Sequence, residues 1–393
     1  MLFILIGVAL GFAAGFIPGF SSKNLALLLI TYGLISSNIY LAVTVVSVEI
    51  SASFFEFLSP MLFSIGNEAT ALAIDPSYTT LTEESLKRRI SFVVSGGLVG
   101  ILLSLPLLLF AERIFPVVYN SLKPLVAWLL LFICMYIIWI EKGWKKKIFA
   151  TLIFCLSGLF GLLVKDSGLV SSEYLLLPIF IGLYGFSSII SKKHEKSSPL
   201  QYIQDMTLTE KIRVAAIAFI TTLFASLIPG MKRGQTSAMA LQIGSATRNE
   251  EVLFMLSLVS LAFMTLSIFA LGSAGKIRTT LAYDINEIMG DIYFSQTSLF
   301  VGSAAISACM SACILTLLAK PIGRIFSKIN KKYLNIFGLF IGMLLIIIFT
   351  GVNGVLLAFT ATCIGMLSYF LRVRSAHLMG ILLLPSIVTA ILR

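Results

Sequence analysis

Three stretches of the chain, residues 90–110, 252–275 and 333–371, contain no Asp, Glu, Lys or Arg. A helix crossing a bilayer needs roughly 20 apolar residues, so the last stretch suffices for two crossings. A soluble domain carries about 25% charged residues. This chain of 393 residues has 12%, against 58% hydrophobic, too few to cover a water-facing surface. The fold class implied is an all-α polytopic membrane protein. A β-barrel is excluded because its segments would alternate in polarity. A soluble enzyme and a disordered chain are excluded by the same composition.

Clear spans are expected at about 90–110, 124–140, 148–164, 174–190, 333–350, 354–371 and 378–392, with another inside 292–319. Residues 1–64 and 214–275 are apolar but interrupted. A polar linker, 191–213, divides the chain into two transmembrane repeats, 1–190 and 214–393.

The net charge of +11 would suggest a nucleic-acid partner in a soluble chain. Here the basic residues sit in short loops between apolar runs, so no such partner is expected. Loops 65–89, 141–147, 191–213, 320–332 and 372–377 hold 19 Lys and Arg. Loops 111–123, 165–172 and 275–291, with the C-terminus, hold six, and 351–353 holds none. The positive-inside rule places the first group in the cytoplasm and the second outside, in a multi-pass cell-membrane protein with its N-terminus outside. Trp139 and Trp144 flank the 141–147 loop as interfacial aromatics do. No basic residue precedes Lys23, so the first apolar run is expected to remain in the mature protein.

The halves resemble each other. Ile17-Pro18-Gly19 returns as Ile228-Pro229-Gly230, and the run Thr70–Asp75 as Thr279–Asp284. Leu175–Pro178 returns as Leu382–Pro385. Three matches in one order at nearly constant spacing indicate a repeat. Corresponding loops fall on opposite sides by the charge count. The expectation is two inverted-topology repeats, the architecture of secondary transporters, each with a Pro-Gly-broken helix or re-entrant hairpin near its start.

Proline lacks the amide needed by the helix ladder, and glycine adopts backbone angles that others avoid. Broken backbone at membrane depth is tolerated only inside protein or beside a water-filled cavity. A new half-helix N-terminus there presents free N–H groups to an anion. The candidate binding residues are therefore Pro18, Gly19, Ser21, Ser22, Lys23 and Asn24, with Pro229, Gly230, Lys232, Arg233, Gln235 and Thr236. Glu49 and Glu56, in the largely apolar run 39–64, are candidates for coupling to H⁺ or Na⁺, with Glu49 the deeper.

Other features read as structural. Asp75 and Asp284 are expected in turns or caps, and Asn67 and Glu68 are placed near the same cavity. Gly7, Gly11 and Gly15 suggest close helix packing, and Cys309 and Cys313 suggest packing between helices. Two histidines, His194 and His377, and five cysteines without a CxxC pair support neither metal site nor disulfide. No HExxH, P-loop or nucleophile–base pair is present, so no enzyme activity and no cofactor are expected.

GFAAGFIPGFSSKNLALLL, ALAIDPSYTTLTEESLKRRISFVVSGGLVGILL, LLLPIFIGLYGFSSII and IPGMKRGQTSAMAL together resemble the large membrane subunit of the tripartite tricarboxylate transporters, especially its shorter stand-alone relatives. The resemblance implies a permease for an anionic carboxylate, served by a periplasmic solute-binding protein and a small membrane subunit. It carries over to Pro18, Gly19, Pro229 and Gly230. The chain departs from usual members in its shorter length and in Lys232-Arg233, where small residues are common. A related Pro-Gly-containing family is implicated in moving polyprenyl phosphates. A lipid phosphate, which Ser22, Lys23, Lys232 and Arg233 would also suit, is therefore the alternative cargo to a small organic anion.

Overall fold

The computed structural model describes residues 1–16, 29, 37–74, 82–192, 206–228, 230–246, 248–277, 279–290 and 292–392. Among them there is no strand. The first half contains α1 (Leu2–Phe16), α2 (Asn38–Phe55), α3 (Leu58–Phe63), α4 (Glu83–Ser104), α5 (Leu108–Leu122), α6 (Val126–Trp139) and α7 (Trp144–Asp166). Its last helix, α8, runs through Leu176–Phe180, a π-helical turn at Ile181–Phe186 and Ser187–Lys192. The second half contains α9 (Leu208–Leu227), α10 (Arg233–Ile243), α11 (Asn249–Ala274), α12 (Thr280–Met289), α13 (Phe294–Ser327) and α14 (Lys331–Phe370). A 3₁₀ turn, Ser375–Met379, then leads into α15 (Gly380–Ile391).

Among the described residues six helical stretches are long and apolar enough to cross a membrane: Asn38–Phe63, Glu83–Leu122, Trp144–Asp166, Asn249–Ala274, Phe294–Ser327 and Lys331–Phe370. The multi-pass membrane reading stands on them. Helix starts carry local signals. Ser85 N–H donates to Thr82 Oγ1 (3.1 Å) and Thr82 N–H to Ser85 Oγ (2.9 Å), while Glu83 and Glu84 complement the helix dipole of α4. Thr207 and Glu210 open α9 in the same way. The spans expected at 333–350 and 354–371 are two legs of α14, which breaks at Gly351 (φ 63°, ψ −158°), a conformation that needs glycine.

The apolar windows of Asn38–Phe63 and Asn249–Ala274 are wholly buried and form the centre. α1 packs on α2 through Gly7, Gly11 and Gly15, where a Cβ would strike the carbonyls of Thr44, Val48 and Ala52. α4 lies on α11, with Gly96 and Gly100 against the Phe254 and Leu258 carbonyls, and α13 lies on α2. Farther out the halves trade partners. Gly161 of α7 faces the Ile381 carbonyl, and Gly380 faces that of Phe154. Gly365 of α14 faces the Leu183 carbonyl, and Gly182 faces that of Ala358.

Three expectations need correction. The loops drawn at 111–123 and 320–332 are helical as far as Leu122 and Ser327, because helices continue past the apolar core where charged side chains reach water. Asp284 is buried within α12, whose cap is Thr279: its hydroxyl accepts from Ala282 N–H (3.1 Å). Cys309 and Cys313 are exposed on α13 rather than packed between helices, as suits a small apolar side chain on a lipid-facing surface.

Candidate functional site

α9 and α10 form a hairpin. Arg213 pairs with Glu251 (3.4 Å) and Arg248 with Glu210 (2.9 Å), so α9 and α11 begin at one level. Arg233, at the start of α10, meets Ser260 of α11 (3.5 Å), 11 residues beyond Asn249 and so about 16 Å along the axis. α10 then runs back, and its Gln242 meets Arg374 (2.9 Å). The second Pro-Gly break is therefore the tip of the hairpin. There Ile228 is extended (φ −83°, ψ 119°) and Gly230 has φ 84°, a region that favours glycine.

Hydrogen bonds hold this tip. Lys232 N–H donates to Gln235 Oε1 (2.8 Å), and Thr236 Oγ1 donates to the Lys232 carbonyl (2.9 Å). Gln235 Nε2 donates to Ser386 Oγ on α15 (3.2 Å). Gln235 and Thr236 are fully buried. Arg233 bridges the two central helices: Nη1 lies 3.3 Å from Ser53 Oγ of α2 and 3.5 Å from Ser260 Oγ.

Beside the tip is a cavity of about 770 Å³. Its wall includes Gly230 and Lys232, Lys165 of α7, Ser386 and Thr389 of α15, and Tyr119. Lys165 Nζ donates to Thr389 Oγ1 (3.2 Å). Among the described residues its wall holds two lysines and no acid. Among the described residues, no carboxylate lies within 4.0 Å of Lys165, Lys232 or Arg233. Two lysines in one cavity wall with no described carboxylate beside them favour an anion. The volume is that of a small-molecule site.

Gly230 and Lys232 thus line the cavity, whereas Arg233, Gln235 and Thr236 are not in its wall. Pro18, Gly19, Ser21, Ser22, Lys23, Asn24 and Pro229 lie outside the described residues, as does Asp75. Glu49 is buried in α2, one turn before Ser53, whose hydroxyl donates to its carbonyl (3.0 Å). Glu56 is buried at the end of α2. Asn67 Oδ1 accepts from the N–H groups of Ala69 (3.0 Å) and Thr70 (3.1 Å), a turn packed against Gly234 through Glu68. Lys165, Ser386 and Thr389 escaped the sequence reading. The repeated Leu-Leu-Leu-Pro was the available signal, since Leu175, Leu176, Leu382 and Pro385 all line the cavity.

A model of the tripartite tricarboxylate transporter TctA family matches residues 1–380. The chain belongs to this family. It is accordingly a membrane transporter and not an enzyme, and the resemblance read from the Pro-Gly segments holds. An uncharacterized protein of Methanocaldococcus jannaschii is 24% identical over 403 residues, covering 98% of each chain. The two thus align over nearly their whole lengths. No solved structure matches the chain.

Proposed function

We propose that the chain is a secondary transporter that moves a small organic anion, a carboxylate, by alternating access. The observation that carries this reading is the cavity, with Lys165 and Lys232 in its wall, no acid there among the described residues, and the backbone of Gly230 open to it. The uneven split of Lys and Arg puts the cavity's rim, near Tyr119, Lys165 and Thr389, outside the cell. The anion enters from there and meets Lys232 at the tip of the second hairpin. Pro18, Gly19, Ser21, Ser22, Lys23 and Asn24 then complete the site from the other side, and Arg233 holds α2 and α11 around it. Glu49 and Glu56 carry the coupling ion, H⁺ or Na⁺.

Inverted repeats are supported by how the halves exchange helices. Residues 154 and 161 stand 204 positions before 358 and 365, while 182 and 183 stand 198 before 380 and 381. The α7–α15 contact thus reappears as the α14–α8 contact, glycine for glycine. A two-fold relation between halves in opposite orientation produces such a swap, and transporters of this architecture place their site between the repeats. The family adds two proposed partners, a periplasmic solute-binding protein and a small membrane subunit.

Binding of radiolabelled citrate and succinate to the purified protein tests this reading, with a short polyprenyl phosphate as competitor. Lys232→Gln should weaken carboxylate binding about tenfold or more, the order of one charge-assisted hydrogen bond. Binding of the polyprenyl phosphate alone, with neither carboxylate retained, would replace the reading by a lipid one.

A further inference from the structure

One segment of chain holds α10 at both ends. At its start Gln235 bonds Ser386 of α15, and at its end Gln242 Oε1 accepts from Arg374 Nη1, in the link that leads into α15. Arg374 is in turn gathered by Glu141, in the link between α6 and α7. Glu141 Oε1 lies 3.0 Å from His377 Nε2 and 3.8 Å from Arg374 Nε. The His377 side chain is 0% exposed and that of Glu141 7%. His377 Nδ1 is buried and has no hydrogen-bond partner among the described residues.

The charged and titratable groups around His377 are few. Glu141 and Arg374 face it directly, and Lys146 of α7 acts on Glu141. From α8, the Tyr184 hydroxyl donates to the Ser375 carbonyl (3.3 Å). α10 contributes the neutral Gln242. The cluster also lies far from the cavity. Val126 and Lys165 line the cavity, whereas Trp139 and Trp144, toward the other ends of α6 and α7, flank Glu141. The 23 residues of α7 put about 34 Å between the two ends.

We propose that His377 and Glu141 form a proton-binding site that sets how firmly α10 is tied at the end opposite the cavity, so that pH on that side regulates the anion site. The regulatory consequence rests on the permease reading; the tie does not. With both ring nitrogens protonated, His377 and Glu141 make an ion pair. With Nδ1 bare they share one neutral-donor hydrogen bond, which is weaker. The proton pins the 3₁₀ turn to the α6–α7 link. His377 N–H donates to the Arg374 carbonyl in that turn (3.2 Å), and Arg374 holds Gln242. Loss of the proton loosens the end of α10.

The chain has two histidines, so hydrogen–deuterium exchange at the imidazole C2, read by mass spectrometry, resolves each one. On the full-length protein in detergent, the C2 exchange of His377 should respond to pH, and Glu141→Gln should change that response. Amide exchange of residues 233–243, corrected for intrinsic rate, should be about fivefold slower at pH 6 than at pH 8, the difference between charged and neutral hydrogen bonds. His377→Gln and Glu141→Gln should both abolish that difference. Should the buried His377→Gln fail to fold, Glu141→Gln, which keeps the shape, decides alone. A His377 whose C2 exchange does not respond to pH, or an α10 response that survives Glu141→Gln, overturns the proposal. Radiolabelled citrate on the same preparations separates the two readings: no citrate binding sinks the permease, while the α10 response still decides the tie.

Discussion

Replacing Gly161 by alanine should drive α7 and α15 apart. An added Cβ would sit closer than 3.0 Å to the Ile381 carbonyl oxygen, against an ordinary contact of 3.4–4 Å. That oxygen belongs to a helical backbone and has no rotamer to move, so the helices must separate by about 1 Å along their contact. Overpacking of this kind costs about 1–3 kcal/mol. Alanine's better helix propensity returns at most about 1 kcal/mol. The net loss should be about 1–2 kcal/mol, seen as a lower Tm in detergent. Gly365→Ala should lose a similar amount, because the Leu183 carbonyl stands where Ile381 stands in the other contact. Gly302 of α13 is the control. A Cβ there meets nothing within 4 Å, so Gly302→Ala should gain about 0.5–1 kcal/mol. A Gly161→Ala protein as stable as Gly302→Ala would refute the packing argument. A neutral Gly365→Ala beside a costly Gly161→Ala would refute the equivalence of the two contacts.

Three further outcomes follow from the charges. In a background lacking the five native cysteines, Ser167→Cys should be labelled from outside intact cells and Ser197→Cys protected; the reverse would invert the topology. Glu49→Gln should abolish the H⁺ or Na⁺ dependence of uptake while the protein still folds, and unchanged ion dependence would remove Glu49 from the mechanism. Glu141, in the link outside the helices, is held below its usual carboxylate value of 4.5, first by the His377 hydrogen bond. Its contribution is present above that value and lost as pH falls through the lower folded one. Wild type should therefore lose Tm as pH falls below about 4.5 in a way that Glu141→Gln does not; parallel acid profiles would show that the contact contributes nothing.

Much of the fold was legible because a bilayer restricts the choices: a charge-free run of 39 residues has to be helix, and at twice the length of one crossing it has to break near its middle, as it does at Gly351. The second Pro-Gly break was legible for the same reason: α9 ends at Leu227 and Gly230 takes a positive φ. What sequence could not supply was which helices meet. Gly161 and Gly182 look alike as small residues in apolar runs, yet one faces α15 and the other α14. Lys165 looked like one loop cation among several until Thr389, 224 residues away, was placed beside it. His377 looked like a stray histidine until Glu141 was placed beneath it. Each of these pairs joins one half of the chain to the other. Local propensity and periodicity report on neighbours in sequence, and the residues that give this protein its cavity and its tie are neighbours only after the halves have exchanged helices.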